Sequence, residues 1–142
     1  MIDTIATRAV DQNEKVLTDL AKKIWENPET AFNEVKACEW TAEVLRNAGF
    51  EVETGYVGMP TAIRAVWGKG HPVIGFLGEY DALPGIGHGC GHNLLGAGIF
   101  AAAVALVVLS FVLPASWTQA ICTLGCTHQF SMIAMGVIIA LL

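Results

Sequence analysis

The sequence predicts an α/β domain in which a mixed sheet is covered by helices. Three observations predict it: two amphipathic helical segments come first, three short strand-like runs follow, and a long apolar helix comes after them. The chain has 142 residues, which is enough to bury one hydrophobic core. We therefore expect one domain, or a piece of a larger one.

The first helix is predicted by an apolar stripe at helical spacing, with charged residues between its members. The stripe falls at positions i, i+3, i+4 and i+7 and consists of Leu17, Leu20, Ala21 and Ile24. We expect this helix to end near Asn27-Pro28, because the residue before a proline disfavours helical backbone.

The second helix is predicted to begin with Asn33 as its N-cap and Glu34 in its first turn. Gly49 is the expected C-terminal stop. Cys38 lies on the apolar face of this helix. We interpret it as a core residue, since a buried free thiol packs like a small apolar side chain.

Three runs rich in β-branched and aromatic residues predict strands at 50–57, 61–67 and 73–77. Turns containing glycine and proline separate them. The third run is almost continuously apolar, so we expect a central strand that is buried on both faces.

The composition is apolar, and its charges are unevenly distributed. Hydrophobic residues make up 54% of the chain and charged residues 15%, with a net charge of −5. No Lys/Arg cluster is present to follow a phosphate backbone, which argues against nucleic-acid binding. The first ten residues do not resemble a signal peptide, and the sparse cysteines are typical of reduced thiols. We therefore expect a cytoplasmic protein.

The C-terminal part of the chain carries no Asp, Glu, Lys or Arg after Asp81. Residues 94–113 are predicted to form one continuous helix that packs through Ala97, Ala101 and Leu106 against the sheet. Residues 107–142 form an apolar tail, and three explanations of it stay open. It is the product of a shifted reading frame or truncated gene, a membrane-associated segment, or an unusual folded core. We favour the first. The spacing of Cys122 and Cys126 is not that of common zinc sites.

The residues that carry chemistry are concentrated in one loop directly after the third predicted strand. Within fourteen positions this loop has two acids, two histidines and a cysteine: Glu79, Asp81, His88, Cys90 and His92. Glycines between them allow tight turns, so the side chains can converge. A thiolate and an imidazole separated by one glycine suit zinc or a related divalent metal. Cys90 and His92 alone do not decide between a metal site and the alternative, which is a buried thiol beside a hydrogen-bonded histidine.

The loop reads Glu-Tyr-Asp-Ala-Leu-Pro-Gly-Ile-Gly-His from Glu79 and Cys-Gly-His-Asn from Cys90. It closely resembles the signature of the aminoacylase and carboxypeptidase superfamily of metallo-amidohydrolases, and within it the branch of p-aminobenzoyl-glutamate hydrolases and Xaa-Arg dipeptidases. The resemblance extends to Asn27-Pro28-Glu29 and covers roughly residues 2–106. It implies that residues 1–106 form the N-terminal part of a zinc-peptidase-like catalytic domain.

Residue roles follow from this resemblance by position. It implies that Cys90 and His92 are metal ligands and that Asp81 is the catalytic acid that orients a ligand and tunes the metal. Glu79 stands where other branches have a ligating histidine and is a secondary candidate. His88 is a second such candidate, for which loop hydrogen bonding and substrate contact both stay open.

The activity implied is metal-dependent hydrolysis of an amide bond in N-acyl amino acids, dipeptides or p-aminobenzoyl-glutamate-like substrates. The resemblance also implies a pair of divalent ions, which are zinc, manganese or cobalt. It further implies that complete homologues are homo-oligomeric. The family's general base belongs to an adjacent Glu pair beyond the Cys-Gly-His motif, where this sequence has no acid. We therefore expect a truncated chain that is inactive alone. The alternative is a small membrane-associated or non-catalytic interaction protein that retains the N-terminal part of the fold.

Overall fold

A computed structural model describes residues 2–69, 74–112 and 121–125. These described residues form three helices, α1 (Ile2–Glu26), α2 (Val35–Asn47) and α3 (His92–Ser110). They also form four strands, β1 (Glu51–Thr54), β2 (Ile63–Trp67), β3 (Ile74–Gly78) and β4 (Ile121–Gly125), and a short 3-10 turn at Tyr56–Gly58. The sheet mixes parallel and antiparallel neighbours and packs against helices, so the predicted fold class is confirmed.

Helix α1 buries Leu20, Ala21 and Ile24 of the predicted stripe, leaves Leu17 partly buried, and ends just before Pro28, as expected. Leu20 and Ile24 are among its most deeply buried residues. Helix α3 packs mainly along α1, and the Asn93 side-chain amide donates to the Ala21 carbonyl across 3.2 Å. This pairing of the first and last helices places the start of α3 beside the C-terminal half of α1.

Helix α2 begins differently from the prediction and ends as predicted. Glu34, not Asn33, occupies the N-cap position, and the carboxylate of Glu29 accepts hydrogen bonds from the Lys36 and Ala37 backbone amides. The Asn33 prediction was wrong because a carboxylate from the preceding loop satisfies these amides instead. Gly49 has φ of 89° and ends the helix.

The sheet has the strand order β1-β2-β4-β3. Strand β2 pairs antiparallel with β1 on one side and with β4 on the other. Strands β3 and β4 are parallel, with Ile74 opposite Ile121 and Gly78 opposite Gly125. The prediction of a central, doubly buried third strand was therefore wrong: β3 lies at the edge of the described sheet, and Leu77 is 53% exposed. The reason is that β4 takes the position between β2 and β3, a pairing between distant segments that local hydrophobicity does not encode.

Helix α3 is continuous from His92 to Ser110, which confirms the predicted long helix, but it ends before the predicted position 113, and Phe111 and Val112 form a turn. Of the three residues predicted to pack, Ala97 is buried and Leu106 packs against the core, whereas Ala101 is only partly buried and does not belong to the core. By length and composition α3 could cross a membrane. Of the predicted tail, positions 107–110 belong to α3 and 121–125 to β4, while Cys126 lies outside the described residues.

The hydrophobic core lies between the sheet and the three helices. Its buried members include Leu20, Ile24, Ala37, Cys38, Ala42, Leu45, Phe50, Ile63, Ala65, Tyr80, Phe100, Ala103 and Val104. Cys38 is a free thiol, and burial raises its pKa, which keeps it protonated. It is therefore the small core residue that the helical pattern predicted.

Candidate metal centre

The loop between β3 and α3 is shaped by backbone hydrogen bonds. Leu83 and Gly87 exchange two of them, at 2.9 and 3.0 Å, and so close a tight turn. Gly87 and Gly91 have φ of 71° and 81°, a region that glycine enters without steric cost. The second of these glycines immediately precedes α3, so it redirects the chain and places His92 at the first position of the helix.

His92 lies between two carboxylates. Its Nδ1 is 2.6 Å from Asp81 Oδ1, and its Nε2 is 3.1 Å from Glu79 Oε2. One donor atom from each of these three residues lies within 4.8 Å of the other two. The loop thus brings together residues from both ends of the motif, eleven positions apart for Asp81 and His92.

This donor set fits a divalent cation. One imidazole nitrogen and carboxylate oxygens are ligands that zinc, manganese and cobalt accept. The Asp81 carboxylate at Nδ1 can hold the proton there and leave the Nε2 lone pair to face a metal, which is the usual arrangement behind a ligating histidine. Glu79 Oε2, beside Nε2, is placed where it could supply a second ligand. The geometry therefore suits Asp81 as the orienting acid and His92 as a ligand.

Cys90 is close to this group without being part of it. Its side chain is exposed, and its Sγ lies 3.9 Å from the backbone carbonyl oxygen of Asp81. Among the described residues, the compact donor group consists of Glu79, Asp81 and His92. The structure thus joins His92 with Glu79, which was only a secondary candidate, and leaves the thiol of Cys90 at the margin of the site. The ligand role of Cys90 stays a prediction.

His88 is buried behind the loop. Its ring lies against Trp25 of α1, with centroids 6.4 Å apart and planes inclined by 29°. Neither ring nitrogen has a hydrogen-bond partner in the described part of the chain. Burial lowers the pKa of His88, so the ring is neutral and packs as an aromatic side chain. His88 therefore packs the loop between β3 and α3 against α1.

Sequence reasoning missed several residues that support the loop. The Glu29 carbonyl accepts a hydrogen bond from the Ala82 amide at 2.7 Å, and Thr30 and Ala82 form a short parallel bridge. Tyr80 is buried, and its hydroxyl donates to the Thr61 carbonyl. The motif around Asn27-Pro28-Glu29 was a signal that this segment belongs with the site, but only the fold shows the contact.

Gly96 lets α3 approach the loop closely. A Cβ placed at this position would lie 3.3 Å from the Glu79 carbonyl oxygen and 3.7 Å from Tyr80 Cβ. The first distance is tighter than ordinary van der Waals contact, and the backbone at Glu79 cannot move freely because Tyr80 is anchored next to it. Glycine is therefore required here by space.

We expect Gly96→Ala to destabilise the chain by about 1–2 kcal/mol, because overpacking against the loop outweighs the gain in helix propensity. Gly98→Ala is the matched control on the same helix, since a Cβ there meets nothing within 4 Å. It should stabilise the chain by up to about 1 kcal/mol. Urea unfolding of both variants measures the difference. Equal effects would show that the contact with Glu79 carries no cost.

Comparison with known proteins finds several curated relatives that match this chain over part of their length. The chain is 43% identical over 115 residues to a p-aminobenzoyl-glutamate hydrolase subunit of Escherichia coli K12, covering 69% of this chain and 24% of that protein. It is 37% identical to Xaa-Arg dipeptidase of Mus musculus, covering 71% of this chain and 26% of the relative. Thermostable carboxypeptidase 2 of Saccharolobus solfataricus is 33% identical, covering 59% of this chain and 25% of that protein. No family model matches.

A crystal structure assigned as an aminohydrolase, from methicillin-resistant Staphylococcus aureus, has a similar fold. Its TM-score is 0.66 at 23% sequence identity, and the match covers 88% of this chain and 34% of that one. The chain spans about a quarter of the length of the curated relatives it matches.

The predicted resemblance is confirmed: the chain is a relative of the p-aminobenzoyl-glutamate hydrolase subunit, the Xaa-Arg dipeptidases and the thermostable carboxypeptidases. These relatives are named as a hydrolase, a dipeptidase and a carboxypeptidase.

Proposed function

We propose that this chain supplies the metal-binding loop of a metal-dependent hydrolase acting on N-acyl amino acids, dipeptides or p-aminobenzoyl-glutamate-like substrates. The observation that carries the proposal is the convergence of Glu79, Asp81 and His92 in one loop. The names of the relatives support an amide or peptide bond as the target.

In this proposal His92 and Glu79 hold a divalent ion, while Asp81 keeps the His92 ring oriented through Nδ1. Zinc, manganese or cobalt would polarise the scissile carbonyl and lower the pKa of a bound water. Cys90, whose exposed thiol lies 3.9 Å from the Asp81 carbonyl oxygen, would join as a further ligand. A second ion, completing a pair, belongs to the proposal for the whole enzyme.

The general base is not among the described residues of the site. Glu79 and Asp81 both engage His92, and no Asp or Glu follows Asp81 in the sequence. Loss of general-base assistance typically lowers a rate by about a hundredfold to ten-thousandfold. We therefore propose that a polypeptide of these 142 residues binds metal without appreciable turnover. We also propose that the protein is cytoplasmic, which suits the free thiols of Cys38 and Cys90. We further propose that the full-length relatives are homo-oligomers.

The test separates binding from catalysis. Purified chain is titrated with zinc, manganese and cobalt by calorimetry, and then incubated with short N-acyl amino acids, dipeptides and p-aminobenzoyl-glutamate. We expect saturable binding of at least one metal and no turnover. Metal-dependent turnover that disappears in Cys90→Ala would contradict the inactivity and support the site. Absence of binding for all three metals would contradict the proposed function itself.

A second candidate is a membrane-associated, non-catalytic protein, favoured by the length and apolarity of α3. Its packing along α1 and against β3 and β4 argues for a core helix instead. Flotation with phosphatidylcholine vesicles distinguishes the two. The hydrolase proposal expects the chain to stay in the aqueous fraction under conditions where it binds metal.

A further inference from the structure

Tyr80 is enclosed in the core directly between the two acids of the metal site. Its side chain is 1% exposed and belongs to the hydrophobic core, whereas the carboxylates of Glu79 and Asp81 both face His92. The phenol ring therefore anchors the backbone from the core side, at the one residue that separates the two acidic groups.

The Tyr80 hydroxyl continues into a buried polar network. It donates to the Thr61 carbonyl, and the Thr61 hydroxyl donates to Glu34 Oε2 across 2.7 Å. Glu34 is fully buried and also accepts a hydrogen bond from the Phe32 backbone amide at 2.7 Å. Each of these groups fixes the next, because a buried polar atom that loses its partner is costly.

The network connects segments that are far apart in sequence. Glu34 lies at the N-terminal end of α2, Thr61 just before β2, and Tyr80 just after β3. A second connection runs from the Ala82 amide to the Glu29 carbonyl, at 2.7 Å, on the other side of Asp81. The stretch that carries Glu79 and Asp81 is thus held at Tyr80 and again at Ala82.

We propose that Tyr80, held by Thr61 and Glu34, is a positioning residue that sets the separation of the Glu79 and Asp81 carboxylates for the metal. The inference rests on the proposed function. Tyr80 does not touch the ion; it acts through its two sequence neighbours. Groups that orient metal ligands typically contribute about tenfold to a hundredfold in affinity. Because Tyr80 acts through the backbone, we expect its effect at the low end of that range.

The test replaces the hydroxyl and keeps the ring. Tyr80→Phe leaves the Thr61 carbonyl without its donor and should raise the dissociation constant for Co²⁺ about tenfold. The matched control is Tyr56→Phe, the chain's other tyrosine, whose ring faces the Arg64 guanidinium at 5.6 Å. It should bind Co²⁺ as the unchanged chain does. Titrations are run at a temperature where circular dichroism shows all variants folded, and the visible Co²⁺ spectrum is recorded at saturation.

A merely structural role for Tyr80 would lower the melting temperature and leave both the affinity and the saturated spectrum unchanged. A dissociation constant for Tyr80→Phe within twofold of that for Tyr56→Phe would overturn the proposal. If the unchanged chain binds no Co²⁺, the proposed function fails first, which is a distinct result.

A second pair of variants tests the same network if Tyr80→Phe does not fold. Thr61→Val keeps the shape of the side chain and removes the hydroxyl that reaches Glu34, whereas Thr61→Ser keeps the hydroxyl. Thr61→Val should weaken Co²⁺ binding and Thr61→Ser should restore it. Equal affinities in these two variants would overturn the proposal.

Discussion

Replacing His92 with alanine should lower the affinity for zinc or cobalt by at least about a hundredfold. His92 contacts both acids of the site, through Nδ1 at 2.6 Å and Nε2 at 3.1 Å. Its loss removes the nitrogen ligand and leaves Glu79 and Asp81 without the group that holds them together. Glu79 alone is a poor zinc site, because zinc sites use three or four protein ligands. Isothermal titration at constant pH measures the effect.

Carboxylate variants refine this experiment. Glu79→Gln should weaken binding by about tenfold or more, since it removes a proposed ligand. Glu53→Gln is the matched control, because Glu53 lies on β1 and pairs with Arg64 at 3.8 Å on the protein surface. If His92→Ala and Glu79→Gln both bind metal as tightly as Glu53→Gln does, the metal centre lies elsewhere in the chain.

Replacing Ile24 with alanine should lower the free energy of unfolding by about 2–5 kcal/mol. Ile24 is 0% exposed, and its side chain fills the part of the core where α1 meets the rest of the fold. Truncation leaves a cavity in addition to the lost apolar transfer free energy. Urea unfolding followed by circular dichroism gives the value.

The control for Ile24→Ala is Val16→Ala on the same helix, where the side chain is 41% exposed. A surface substitution of this kind should change stability by less than about 0.5 kcal/mol. A loss below about 1 kcal/mol for Ile24→Ala would mean that α1 does not dock on the core as the structure places it.

Local pattern was sufficient for most of the secondary structure. The stripe through Ile24 predicts α1 because the helical period brings its members onto one face. Gly49 predicts the end of α2 because glycine readily adopts the left-handed backbone that ends a helix, and its observed φ is 89°. The prediction that Asn33 is the N-cap of α2 was wrong for a local reason as well. A cap is decided by whichever acceptor reaches the free amides, and Glu29 reaches them from the preceding loop.

The candidate site was predictable in its location but not in its membership. Spacing alone gathers Cys90 and His92, since one glycine lies between them. The structure instead pairs His92 with Glu79 and Asp81, because Gly91 turns the chain into α3 and directs the His92 ring back toward the end of β3. No local pattern records that return.

The sequence by itself determined the helices, the first three strands, the motif-bearing loop and the kinship with amide and peptide hydrolases, because short-range periodicity, turn residues and a specific motif are properties of neighbouring residues, whereas β4 was missed. Only the tertiary structure decided that β3 is an edge strand, that Glu79 stands beside His92, and that Tyr80 rests on Thr61. Each of these depends on contacts between residues far apart along the chain. Such contacts are set by how the helices and strands pack, which no single stretch of sequence specifies.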